Sequence, residues 1–361
     1  MGQFIIKRVG VMLLTAACLT FIVFFLTNLY PNLEKLAKTQ GNNRMSDTEV
    51  ASWLDKHGYN QSIVKKYGEW LGVVPSRKFT AESGTTYTRC SRPDIRPEDA
   101  PDYCGLLQGN WGYSSVFKEE VSGIVSKRLG LTGYLMGAVL MVMIPMALII
   151  GVVAGMREGT RTDRTLSTFA IATTATPEYV SGILFIVIFA SSKMGLSPLF
   201  AEWGLIDSRT ILKGSATSAM VDITFVNFTL PVMALALYGM GYIARMTRAS
   251  MAEVMTAQYI RTARLKGVSF YNIVVKHALR NALIAPFTVI MLQIPWLLTG
   301  VVIVETMFNY KGFGWALVQA ASNNDIELLL GISVVAVVVV LITQLISDIG
   351  YVFLNPRIRV N

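Results

Sequence analysis

The chain has 361 residues, of which 53% are hydrophobic and only 15% charged, and it carries a formal net charge of +9. Soluble domains carry about 25% charged residues, so this composition, with a mean hydropathy of +0.49, excludes a water-soluble globule and points to a bilayer. The basic excess comes without a nucleic-acid-binding motif, and its distribution along the chain accounts for it without nucleic acid.

Between Arg8 and Glu34 lie 25 uncharged residues. A spanning helix needs about 20 apolar residues, because a rise of about 1.5 Å each must cross roughly 30 Å of hydrocarbon. Lys7-Arg8 before an apolar run also describes a signal peptide. The apolar stretch 20–29 continues past Cys18, however, and predicts a retained first span.

Residues 31–128 form a long polar insertion with aromatics throughout, Trp53, Tyr59, Tyr67 and Trp70 among them. That is too aromatic for a disordered tether and predicts a small folded subdomain. Residues 45–67 read as one helix, with Ser46 as N-cap and Glu49 completing a capping box. Pro93, Pro97 and Pro101 read as an irregular loop. Cys90 and Cys104 lie 14 positions apart. A disulfide is permitted if this side is extracytoplasmic and would contribute about 3 kcal/mol; the alternative is two unpaired thiols. Cys18, inside the first span, is expected to be inert.

Five more runs follow. Twenty-eight uncharged residues separate Arg128 from Arg157, and a short basic turn ends at Arg164. The 28 positions between Arg164 and Lys193 hold one charge, Glu178, beside Pro177. Runs of 22, 24 and 20 separate Asp222 from Arg245, Arg280 from Glu305, and Glu327 from Asp348. The expected fold class is an all-α membrane protein of six transmembrane helices. The expected divisions are an N-terminal helix (1–32), the insertion (33–128) and a five-helix core (129–361) containing a cytoplasmic segment (245–281). A bare acid at the bilayer centre costs about 2.5–3.5 kcal/mol, and such groups face protein or water. Glu178 therefore reads as a pathway carboxylate that meets a substrate amine, as a group with a buried structural partner, or as a sign that the span's centre lies elsewhere.

Basic residues favour the cytoplasmic side of short loops. With the N-terminus cytoplasmic, that side collects Lys7 and Arg8, three arginines of the 157–164 turn, seven basic residues between Arg245 and Arg280, and Arg357 and Arg359. Against these stand only Glu158, Asp163 and Glu253, so the whole positive excess lies on one face.

The sequence has two histidines, His57 and His277, and no HExxH, CxxC, phosphate loop or G-x-S-x-G elbow. No catalytic, metal-binding or cofactor-binding residue is expected. Arginine occurs only at the cytoplasmic end of span four, whereas a voltage sensor carries it along its length. The informative stretch is Gln258-Tyr259-Ile260-Arg261-Thr262-Ala263-Arg264-Leu265-Lys266-Gly267, followed by Lys276-His277-Ala278-Leu279-Arg280-Asn281-Ala282-Leu283-Ile284-Ala285-Pro286. It reads as a short helix, a glycine stop with Gly267 at C′, then a second helix with Ser269 as N-cap leading into span five. Such an elbow is a surface for another protein; the plain alternative is a basic loop that fixes topology.

This stretch resembles the coupling ("EAA") motif of binding-protein-dependent ABC importer permeases, and more closely the dipeptide and oligopeptide permeases, in the first of their two paired subunit types. Aligned on Gly267, the motif's Glu-Ala-Ala is Arg261-Thr262-Ala263. The similarity extends to Gly109-x-x-Gly112-x-Ser114, Asp163, Pro177, Glu305-x-x-Phe308-x-x-x-Gly312-Phe313-Gly314, Asp325, and the C-terminal Asp348, Tyr351, Pro356, Arg357 and Arg359. Ile326-Glu327 stands where the family has Tyr-Pro, and residues 33–107 have no counterpart that aligns.

The resemblance implies a type I ABC importer permease fold in the bacterial inner membrane, with both termini cytoplasmic. It implies a second permease sharing one pathway for peptides or a similar small solute. Two cytoplasmic ATPases would carry ATP and Mg, and a periplasmic binding protein would deliver cargo. Tyr259, Arg261, Thr262, Ala263, Arg264, Lys266 and Gly267 would couple to an ATPase. A self-sufficient channel or secondary transporter is the alternative; it expects charged relays in several spans or paired broken helices. A receptor or assembly factor acting through the insertion is a third reading.

Overall fold

The computed structural model describes residues 2–80, 86–88 and 101–354. Among them the chain is almost wholly helical. In chain order the elements are α1 (Gly2–Thr27), α2 (Tyr30–Gln40), α3 (Asp47–Lys56), α4 (Ile63–Leu71), the short strands β1 (Lys78–Thr80) and β2 (Thr86–Thr88), α5 (Val121–Met156), α6 (Arg161–Ala175), α7 (Glu178–Phe185), α8 (Leu196–Glu202), α9 (Phe225–Thr256), α10 (Gln258–Leu265), α11 (Phe270–Asn272), α12 (Leu279–Ala282), α13 (Ile284–Met307), α14 (Phe313–Ser322) and α15 (Ile326–Leu354). Two π-helical segments, Ile186–Ala190 and Ile273–Ala278, continue α7 and α11.

Five helices are long and apolar enough to cross a membrane: Ile5–Thr27, α5, α9, α13 and Ile326–Gly350. Where a sixth span is expected, the structure has a sharply bent helix pair, a broken span or a re-entrant loop. Arg161–Ala175 and Glu178–Ala190 pass the same test together but are bent by 104°. The break has a local cause. Proline disfavours helix at the residue before it and lacks the N–H that would continue the ladder. Thr176 and Pro177 are accordingly extended, at ψ 115° and ψ 149°. Glu178 thus opens the second helix of the bent pair instead of sitting within a continuous span.

The chain forms two compact units. The larger is built mainly from Gly130–Trp315. Its core centres on α9, whose Leu235, Ile243 and Met251 are wholly buried. Helices α6, α7 and α13 pack against α9. Small residues allow the approach: a Cβ on Gly241 would lie 2.5 Å from the Ala170 carbonyl oxygen of α6.

The other unit comprises Ile5–Leu129 and Ala316–Val338. Phe24, Leu36, Val50, Leu54 and Trp70 form its core, with Tyr67 stacked on Trp70 at 5.7 Å. The capping box at α3 is present: the Glu49 carboxylate accepts from the Ser46 N–H at 2.7 Å and from its hydroxyl at 2.9 Å. The single helix expected over 45–67 is two, because α3 ends at Lys56 and residues 57–62 turn the chain into α4. Asp325 accepts from the Ser114 hydroxyl at 2.5 Å, the Val116 N–H at 3.1 Å and the Leu328 N–H at 3.2 Å. The family-like Ser114 and Asp325 therefore meet, and the carboxylate also caps α15. Cys104 is disulfide-bonded and Cys18 is free; Cys90 lies outside the described residues. So do Pro356, Arg357 and Arg359 of the C-terminal motif, and Pro93 and Pro97 of the expected loop.

Candidate coupling surface and pathway groove

The elbow expected after α9 exists. Helix α10 rests on the end of α9 and on the π-helical segment, with Ile260 and Ala263 buried beside Met251, Ile273, Val274 and Ala278. Its C-terminus closes in a Schellman motif. The Val268 N–H donates to the Ala263 carbonyl at 3.2 Å and the Gly267 N–H to that of Arg264 at 3.0 Å. Gly267 sits at φ +75°, with open space where a Cβ would go. The left-handed backbone is what calls for glycine. Ser269 occupies the N-cap of α11 as expected, but its hydroxyl makes no capping bond. Beyond it the expected second helix runs in pieces, α11, the π-helical segment and α12, before α13 begins.

The structure thus sorts the candidate coupling residues. Ala263 is buried, whereas Tyr259, Arg261, Thr262, Arg264, Lys266 and Gly267 are exposed. Tyr259 is further held by the Asn281 amide, which donates to its hydroxyl at 3.0 Å. Sequence reasoning passed over Leu265, which is 82% exposed. The signal was there: Ile260 and Ala263 share a helical face at i, i+3, and Leu265 falls off that stripe. Phe270 and Tyr271, just beyond, are 57% and 73% exposed, so the elbow presents an apolar surface flanked by Arg261, Arg264 and Lys266.

A second constellation ties the 157–164 turn to α9. Arg248 donates through both fork nitrogens to Asp163, at 2.5 and 2.7 Å. The same carboxylate accepts from the Gly159 N–H at 2.9 Å and the Ser167 hydroxyl at 3.1 Å. Asp163 is buried. A bidentate guanidinium–carboxylate pair fixes geometry as well as charge, so the turn is pinned to α9 at Arg248.

The glutamate of the 305–314 motif is also structural. Glu305 is fully buried and accepts from the Thr132 hydroxyl and from the Trp315 N–H. Thr132 in turn accepts from the Phe313 N–H at 2.7 Å. The Tyr310 hydroxyl donates to the Leu131 carbonyl at 2.9 Å; burial, with Glu305 nearby, pushes it up to about 12. Glu178 differs. It is half-buried, opens α7, and has no ion pair among the described residues. Also among these residues, no group of three His, Cys, Asp or Glu side chains could hold a metal ion.

Known proteins place this architecture. Residues 147–360 match the family described as binding-protein-dependent transport system inner membrane component. A putative peptide permease protein of Brucella ovis is 27% identical over 343 residues, covering 95% of this chain and 94% of the relative. A di/tripeptide transport system permease protein of Pseudomonas aeruginosa is 30% identical over 369 residues, covering 99% of each. A dipeptide transport system permease protein of Bacillus subtilis is 33% identical over 237 residues, covering 66% of this chain and 68% of the relative. The chain therefore belongs to the binding-protein-dependent transport inner membrane component family, as a multi-pass permease subunit of an ABC importer in the bacterial inner membrane without an ATPase site of its own.

Proposed function

We propose that this permease imports peptides, or a similar small solute, through a pathway it shares with a second, homologous permease. Two cytoplasmic ATPases carrying ATP and Mg drive the cycle, and a periplasmic binding protein delivers cargo. The termini and the 245–281 segment face the cytoplasm, residues 33–128 form an extracytoplasmic insertion, and residues 129–361 carry the permease core. The relatives' peptide cargo and the one-sided basic excess support this reading.

The observation that carries it is α10. Its inner face is anchored by Ile260 and Ala263, its end is locked at Gly267, and its outer face offers Leu265. Exposed Tyr259, Arg261 and Arg264 are of the residue types enriched in protein-binding hot spots, and Leu265 adds apolar area among them. Tyr259, Arg261, Thr262, Arg264 and Lys266 frame the contact with an ATPase, while Ala263 and Gly267 hold the helix in place. ATP-driven closure of the ATPases pushes this rigid helix, and the π-helical segment passes the motion to α13. Pro177 and Glu178 belong to the pathway.

The test is co-purification of the assembled transporter. Leu265→Asp lowers the recovery of ATPase subunits about ten-fold, or 1.4 kcal/mol, and leaves the permease in the membrane. Recovery equal to that of the unsubstituted complex would remove α10 from the coupling role.

A further inference from the structure

One face of α9, carrying Leu235, Tyr238, Tyr242 and Arg245 at helical spacing, runs from the level of Glu178 to a basic cavity that the coupling surface does not use. Around Gly300 three side chains converge: Leu235 of α9, Glu178 and Trp296 of α13 each come within 3.6 Å of where a Cβ would stand. Trp296 stacks on Tyr238 with ring centroids 4.3 Å apart. One turn further along α9 is Tyr242, and two turns back along α13 is Val289. Both line a cavity of about 570 Å³ together with Arg164 and Arg245.

The charge in this cavity is not balanced. Asp163 and Arg248 also line it, but each satisfies the other. Arg164 and Arg245 have no ion pair among the described residues, so the cavity presents two free guanidiniums. Guanidiniums at a membrane border could meet a lipid phosphate. The other end of the same face argues against lipid, because Glu178, which has no ion pair among the described residues, is too costly to turn towards acyl chains. An acid at one end of this face, an aromatic pair next to it and two arginines without ion pairs among the described residues at the other end give it a polarity.

We propose that this face binds the cargo by both termini: Glu178 meets the peptide's ammonium group, and Arg164 and Arg245 meet its carboxylate. The site at Arg164 and Arg245 is a carboxylate subsite, and the ligand class is a short peptide with a free C-terminus. Leu235, at the level of Glu178, and Arg245 are ten residues apart on α9, about 15 Å. That is the length of roughly four extended residues. The aromatic pair between them offers a surface to side chains of any type, as a peptide carrier requires. This inference rests on the peptide reading above and adds the orientation of the cargo, carboxyl end towards the cytoplasm.

The experiment uses the complete transporter with its binding protein in proteoliposomes, and measures ATP-dependent uptake of one tetrapeptide as free acid and as C-terminal amide. The binding protein's own selectivity is common to all variants, so a change between variants reads this chain. The expected result is that Arg164→Gln/Arg245→Gln lowers the acid-to-amide ratio of uptake about ten-fold, or 1.4 kcal/mol. Arg164→Lys/Arg245→Lys, which keeps the charge, restores most of it. An unchanged ratio in the Gln variant, with uptake intact, overturns the carboxylate subsite and leaves the peptide reading standing. No ATP-dependent uptake of any peptide by the unsubstituted transporter overturns the peptide reading itself. Two further outcomes also overturn the subsite. If the Gln variant loses the second permease on purification, the arginines are assembly contacts. If its defect appears only in vesicles containing anionic lipid, they hold a headgroup.

Discussion

At the scale of single residues, charges sort into those the fold consumes and those it leaves available. Asp163 is spent on Arg248 and the loop backbone, and Glu305 on Thr132 and Trp315. Removing one partner of a buried pair costs about 3–5 kcal/mol. The Arg248 side chain is 31% exposed, so Asp163→Asn is expected to cost less, about 2–3 kcal/mol. A lowered thermal midpoint of the purified complex reads this. Arg248→Lys keeps the charge but loses the two-pronged fit, and falls between. Glu178 has no such structural employment. Glu178→Gln is expected to raise the half-saturating cargo concentration about ten-fold while the complex assembles as before, measured by uptake at graded concentrations; an unchanged value removes it as a cargo contact. Both kinds of residue were visible in the sequence as motif positions or as an isolated charge. Their partners were not: Asp163 and Arg248 are 85 positions apart, and no local pattern announces such a pairing.

Among the elements, what local chemistry dictates was legible, and what neighbours dictate was not. The uncharged runs marked the spans, Ser46 and Glu49 the start of α3, and Gly267 the end of α10. Counting charges cannot detect a bend, so the third span read as one helix although Pro177 stood inside it. The turn at 57–62 did carry a local signal, Gly58, which closes α3 at φ +80° much as Gly267 closes α10. Leu265 is visible only against the buried stripe of Ile260 and Ala263, which the motif's residue types alone do not mark. The Schellman lock gives an expected outcome at this scale. Gly267→Ala meets no steric obstacle but strains the left-handed backbone by about 1–2 kcal/mol. Substrate-stimulated ATPase activity then falls while membrane insertion is intact, and Gly267→Asn, better suited to this conformation, falls less. Ala263→Leu acts differently, by levering α10 off Met251 and Ile273; it abolishes the stimulation outright.

For the whole molecule, one-sided charge is the largest sequence signal, and it makes orientation directly testable. With Cys18 replaced by Ser, a membrane-impermeant maleimide is expected to label Leu265→Cys only in inverted vesicles and Leu107→Cys only in right-side-out cells; the reverse pattern would invert the topology. Leu107 is 69% exposed in the insertion, so access does not limit the second measurement. The break at Pro177 carries a consequence for which helices can stand alone. Its two halves, 15 and 13 residues long, rise only about 22 and 20 Å, short of the roughly 30 Å that hydrocarbon demands. In the bent form neither reaches across by itself. Both pack on α9, so this stretch borrows its shelter from a helix that follows it in sequence.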